Sequence, residues 1–131
     1  MWRTIAGVIA GLAIWIAVVV VAGLIMRPLW PAYAAVAETM AFTLPMKIAR
    51  LSIGAVATIA SGWVAGTVAG RQSALITGIV LLVVFVPEHI SLWSKFPIWY
   101  HLTFLGSLVP LSLLGRRLNP FEPEARIVPQ M

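Results

Sequence analysis

Four long apolar segments alternate with short polar connections along this chain, and the alternation predicts an all-α membrane protein. A bilayer core of about 30 Å needs about 20 helical residues at about 1.5 Å each, so a segment of this length can cross it once. We predict a bundle of four transmembrane helices, over residues 4–26, 51–70, 74–93 and 97–115. Together they form one transmembrane domain, residues 1–117, followed by a polar, extended tail over residues 118–131.

Prolines interrupt the third and fourth segments. The third is cleanly apolar only as far as Val86, so it can cross the membrane only if the helix continues through Pro87 to Trp93. We predict that it does so with a kink at Pro87, and that the fourth segment bends at Pro110. Residues 70–73 form a tight polar turn that returns the third segment alongside the second.

The first segment also has the features of a signal peptide. Arg3 precedes its apolar run, and Ala32, Tyr33 and Ala34 resemble a cleavage site. The apolar run is longer than the core of a typical signal peptide. We therefore expect residues 4–26 to remain as a transmembrane helix.

The connection between the first two helices, residues 28–47, contains an alanine-rich stretch over residues 32–43. The prolines at its edges permit a short helix between them. Trp30 and Tyr33 suit the headgroup layer, so we predict an interfacial segment lying on the membrane surface. A re-entrant loop is the alternative.

Small residues recur at every fourth position of the second segment, which places them on one helix face. In lipid, such faces bring helices together because the backbones can approach closely. The predicted packing residues are Gly54, Thr58, Gly62, Gly66 and Gly70, with a weaker row at Gly7 and Gly11 in the first segment. Two alternatives remain open, because these faces can pack within the bundle or against another chain.

Polar side chains meet near one membrane border. Glu88 and His89 lie four or five residues before Trp93, which is about 6–7.5 Å along a helix. His101 lies at a similar depth in the next segment, beside Tyr100. Because the connection between the two helices is short, we predict that these polar residues approach one another.

This candidate polar site has several interpretations. It can be structural or interfacial, it can carry protons or ions, or His89 and His101 can hold a metal ion or a haem. We favour the first, because groups at this depth reach interfacial water and headgroups, and we expect no cofactor. The predicted interfacial anchors are Trp30, Tyr33, Trp93, Trp99, Arg116 and Arg117.

The amino-acid composition further narrows the class of protein. The 131 residues are 61% hydrophobic and only 10% charged, with a mean hydropathy of +1.00, whereas soluble domains carry roughly 25% charged residues. The nine Lys and Arg residues are scattered, which is unlike a nucleic-acid-binding face. There is no cysteine and no catalytic motif, so we expect a protein that is not an enzyme.

Four spans place both termini on one side of the membrane. Five basic residues then lie on the side of the termini and four on the other, a weak bias that favours cytoplasmic termini. Because the two counts of basic residues are nearly equal, dual topology remains an alternative. The five are Arg3, Arg71, Arg116, Arg117 and Arg126, and the four are Arg27, Lys47, Arg50 and Lys95.

Three short runs of the sequence resemble a known group of proteins. They are residues 62–71, 96–101 and 113–118. They look like small uncharacterised four-helix proteins of the bacterial inner membrane. The resemblance implies that location and a four-helix fold, and it carries no activity to transfer. From the sequence we expect a non-catalytic accessory or assembly subunit that packs against other membrane proteins or its own copies. The alternatives are a homo-oligomeric transporter or channel using Glu88, His89 and His101, and a haem- or metal-carrying redox subunit.

Overall fold

A computed structural model describes residues 1–119, which form helices and no strand. The helices are α1 (Trp2–Leu29), α2 (Pro31–Val36), α3 (Leu44–Ser91) and α4 (Ile98–Leu118). The predicted tail begins within the last residues of this range, and its part beyond Asn119 lies outside the described residues.

Three of the helices, α1, α3 and α4, are long and apolar enough to cross a membrane. The sequence predicts four crossings, and the difference lies in α3, which covers 48 residues. Its backbone leaves helical geometry at Ala69 and Gly70, where Gly70 has φ 79°. Glycine adopts positive φ without the steric penalty that a Cβ brings.

The contacts of α1 show that α3 reverses its direction at this break. The Ser61 hydroxyl donates a hydrogen bond to the Gly11 carbonyl over 2.7 Å, and a Cβ on Gly11 would lie 3.1 Å from Thr77 Cγ2. In an uninterrupted helix Ser61 and Thr77 would be about 24 Å apart. The helix is therefore a hairpin, with a first arm over residues 44–68 and a second arm over residues 71–91.

The other helix boundaries differ in detail from the predicted ones. The second arm continues through Pro87 with helical dihedrals and ends at Ser91, two residues before the predicted Trp93. Helix α4 continues to Leu118. Helix α2 covers only six residues, less than the predicted interfacial stretch.

Close backbone contacts hold the hairpin against its neighbours. A Cβ on Gly62 would overlap the carbonyl group of Ser112, and a Cβ on Gly115 would overlap the carbonyl group of Ile59. The first arm and α4 therefore touch backbone to backbone along this line. Gly115 was not among the predicted packing residues.

The predicted packing residues contact helices of the same chain. Gly54 faces Phe104, Gly66 faces the side chain of Arg116, and Gly7 faces Ser73. Thr58 accepts a hydrogen bond from the Trp15 indole N–H at 3.1 Å, and Gly11 and Gly70 have the roles described above.

Hydroxyl groups between the helices add directional bonds. The Ser112 hydroxyl of α4 donates to the Ala74 carbonyl over 2.6 Å, and the Ser73 hydroxyl donates to the Thr4 carbonyl over 3.3 Å. Each bond joins two different helical segments. Such interhelical hydrogen bonds supplement van der Waals packing where lipid provides no hydrophobic driving force.

The contact at Gly62 predicts an unusually sensitive position. Gly62→Ala should destabilise the fold by about 1–3 kcal/mol or more, because the new methyl group meets backbone that cannot rotate away. Gly106→Ala is the matched control, since a Cβ at Gly106 meets nothing within 4 Å. Thermal unfolding of both variants in one detergent measures the difference. Equal melting temperatures would show that α4 does not pack closely on the first arm.

Candidate end-cavity site

A cavity of about 500 Å³ lies at the end of the bundle away from the N-terminus. Its walls come from the C-terminal half of α1, the connection that contains α2, the start of the first arm, the end of the second arm and the start of α4. We call it the end cavity. Its ionisable lining residues are Arg27, Tyr33, Arg50, Glu88, His89 and Tyr100.

Arg50, on the first arm, is the most strongly held of these groups. Its Nη1 donates a hydrogen bond to the Tyr33 hydroxyl over 2.8 Å, and its Nε donates to the Tyr100 hydroxyl over 3.3 Å. Its guanidinium carbon lies 4.7 Å from the centre of the Phe42 ring and 5.9 Å from that of Phe96. Cation–π attraction and the two hydrogen bonds together fix the charge in place.

The connection between α1 and α3 folds over this arginine. Tyr33 and Phe42 are both buried, with ring centres 5.1 Å apart, and they cluster with Met46, Phe96 and Tyr100. The sequence predicts Tyr33 as an interfacial anchor, and the structure places its ring inside this cluster. The physical reason is that its hydroxyl satisfies Arg50.

The predicted histidines do meet. His89 Nδ1 and His101 Nδ1 are 2.7 Å apart, and His101 Nε2 lies 3.4 Å from the Trp93 carbonyl oxygen. A carbonyl oxygen only accepts, so a hydrogen bond at this contact requires a proton on His101 Nε2, and neutral His101 then has its lone pair on Nδ1. His89 Nδ1 is then the donor of the pair. In neutral His89 this leaves the lone pair on Nε2.

Aromatic rings enclose the histidine pair. The Trp93 ring stacks on His101 with centres 4.7 Å apart, and Phe104 stacks on His89 at the same separation. His101 is completely buried. The pair is therefore packed among aromatic rings beside the end cavity, which His89 also lines.

Glu88 is separate from the histidine pair. Its side chain is exposed and lines the end cavity, and no hydrogen bond joins it to either histidine. Tyr100 bonds to Arg50 instead. Its ring centre nevertheless lies 6.1 Å from those of both His89 and His101, so Tyr100 connects the buried histidine pair to the charge of Arg50.

The sequence alone did not assign Arg50 to this site, because a lone arginine before an apolar segment resembles any membrane-border charge. The aromatic residues Tyr33 and Phe42, in the preceding connection, were the available signal. Only the fold places them against Arg50.

The other predicted anchors lie at both ends of the bundle. Trp93 and Trp99 are exposed, Trp30 is half-buried, and Arg117 is exposed in the last turn of α4. Arg116, in the same turn, packs its side-chain carbons against Gly66.

Metal ligation has little geometric support within residues 1–119. These residues contain no group of three or more His, Cys, Asp or Glu side chains that could hold a metal ion. A metal bridging His89 and His101 would need each nitrogen about 2.0–2.1 Å away on its own side, and 2.7 Å between the two Nδ1 atoms is too short for that. In this arrangement the histidines bind each other.

Comparison with protein-family models, with curated proteins and with solved structures found no match.

The Arg50 cluster predicts unequal roles for its two tyrosines. Tyr33→Phe should destabilise the fold by about 1.5–3 kcal/mol, the usual range for a hydrogen bond to a charged group. Tyr100→Phe should lower the free energy of unfolding by less, because the hydrogen bond from Arg50 to Tyr100 is longer than that to Tyr33, 3.3 Å against 2.8 Å. Unfolding of the two variants in one detergent gives the comparison. A Tyr33→Phe protein as stable as the wild type would show that the hydroxyl does not hold Arg50.

Proposed function

We propose that this chain crosses a bacterial inner membrane four times, with both termini in the cytoplasm. The reversal at Gly70 supports this proposal, because it divides α3 into two antiparallel arms. Residues 44–68 and 71–91 correspond to roughly 37 and 31 Å of helix, and each length is enough for one crossing.

The positions of the basic residues support the orientation. Arg3, beside the N-terminus, donates a hydrogen bond to the Val68 carbonyl over 3.1 Å, next to the hairpin turn. Arg50 belongs to the opposite end but is turned into the aromatic cluster, so it contributes less to the charge at that membrane border. This increases the positive excess on the side of the termini and favours a cytoplasmic location for that side.

The function that the geometry supports best is the binding of a small molecule in the end cavity, without catalysis. The cavity itself is the observation that carries this proposal. Its volume of about 500 Å³ lies within the range of about 300–1,000 Å³ typical of small-molecule sites. It also has the usual chemistry of such sites, a mainly apolar lining with a few fixed polar groups. Small membrane transporters are one class of protein that binds a small molecule without catalysis.

An accessory-subunit function is the second candidate. The glycine-rich faces are occupied by helices of the same chain, so a partner needs another surface. One is available on the outer side of the first arm, where a shallow, wholly apolar groove could receive a foreign helix. It is lined by Val56, Ile59, Ala60, Trp63 and Val64.

The topology predicts a labelling pattern that the cysteine-free chain makes easy to measure. Single cysteines at Thr39 and Lys95 should react with a membrane-impermeant maleimide in cells whose outer membrane is permeabilised. Cysteines at Trp2 and Gln72 should react only after lysis. All four side chains are exposed in the folded protein. If Gln72→Cys reacts before lysis, as Thr39→Cys does, the two arms of α3 do not form a transmembrane hairpin.

Native mass spectrometry after gentle extraction distinguishes the two candidate functions. Ligand binding predicts copies of this chain that carry a retained small molecule of defined mass. A stoichiometric complex with foreign proteins would instead favour the accessory subunit. A bare chain, with neither, would contradict both.

A further inference from the structure

We propose that the end cavity binds a single-chain amphiphile, with its anionic head group at Arg50 and its chain along α1. This inference rests on the proposed function, and it adds the chemical class of the ligand.

The first observation is the shape of the cavity along α1. Trp15, Val19, Gly23 and Arg27 all line it and lie four residues apart, on one helix face. From Trp15 to Arg27 this wall extends about 18 Å. The site is therefore long in the direction of the helix, as an extended alkyl chain requires.

The second observation is the change of polarity along that length. At the inner end the Trp15 ring lies 4.8 Å from the ring of Phe85, and Phe85 lies 5.2 Å from Phe104. These three rings are apolar walls of the cavity. The charged residues Arg27, Arg50 and Glu88 belong to the other end, so the cavity has an apolar half and a charged half.

The third observation is the sign of the charge. Arg27 and Arg50 provide two cations against the single carboxylate of Glu88, so the head of the ligand faces a net positive site. The bonds of Arg50 to the tyrosines use Nε and Nη1, and an arginine has further N–H groups to donate. Tyr33 and Tyr100 act as acceptors in these bonds, so their own hydroxyl protons can go to an oxygen of the ligand.

Gly23 provides the means to test the site. It lines the cavity, and a Cβ placed on it meets nothing within 4 Å. This contrasts with Gly7, Gly54 and Gly62, where a Cβ would collide with a neighbouring helix. A leucine at position 23 would therefore add bulk to the cavity lining without a clash at its Cβ.

The experiment measures quenching of tryptophan fluorescence by 12-bromododecyl phosphate in protein-loaded nanodiscs of zwitterionic lipid. Bromine at the chain end should reach Trp15 and quench it saturably. Gly23→Leu should weaken this binding at least tenfold. Gly106→Leu is the matched control, since position 106 is equally open and lies outside the cavity; it should bind as the wild type does.

Two further probes test the head group. 12-Bromododecanol has the same chain without charge and should bind at least tenfold more weakly than the phosphate. Arg50→Gln should narrow that gap, and Arg50→Lys should restore part of it. Inorganic phosphate at millimolar concentration should not displace the amphiphile.

The outcomes separate this inference from the proposed function. Equal binding of the alcohol and the phosphate, with both abolished by Gly23→Leu, would overturn the anionic head group and leave small-molecule binding intact. Displacement by inorganic phosphate would overturn the amphiphile in favour of a free anion. Quenching that does not saturate, or that Gly23→Leu leaves unchanged, would remove the ligand site altogether.

Discussion

The close approach of the first arm of α3 to α4 sets the spacing on which the rest of the bundle depends. Gly62 lies against the Ser112 carbonyl and Gly115 lies against the Ile59 carbonyl. Each helix therefore has a glycine, without a side chain, at the point where the backbone of the other helix is closest. Where helices pack in lipid, which provides no hydrophobic driving force for their association, such close backbone contact is a main source of packing energy. Helix α1 packs against both arms of the hairpin, where Ser61 of the first arm and Ser73 of the second donate hydrogen bonds to its carbonyl groups.

At the other end of the bundle the helices carry larger side chains and cannot meet as closely. Arg50 lies at the start of the tightly packed face of the first arm. A guanidinium group that leaves water needs hydrogen-bond acceptors and aromatic neighbours. The connection containing Tyr33 and Phe42 supplies them, so it folds over the bundle end. The end cavity is the space left beneath this cover, between the aromatic cluster and the Trp15 ring.

The histidine pair also contributes to the packing of this end of the bundle. His89 and His101 satisfy each other's Nδ1 atoms and stack between Trp93 and Phe104. Two polar rings are thereby accommodated in an apolar wall with one shared hydrogen bond. This orders the second arm against α4 beside the cavity, and leaves Arg27, Arg50 and Glu88 as the charges that a ligand would meet.

The sequence by itself determined the all-helical class, the apolar segments and the small-residue face, because helix length and four-residue spacing are local properties of the chain. It also indicated the meeting of His89 with His101, since a short connection forces their helices together. Only the tertiary structure decided that Gly115 and Gly62 both lie on the close contact between α4 and the first arm. It also decided that the Tyr33 hydroxyl bonds to Arg50, and that Glu88 makes no hydrogen bond to the histidines. Those outcomes depend on the rotation of each helix about its axis and on residues far apart in the chain, and the pattern of hydrophobic positions constrains neither.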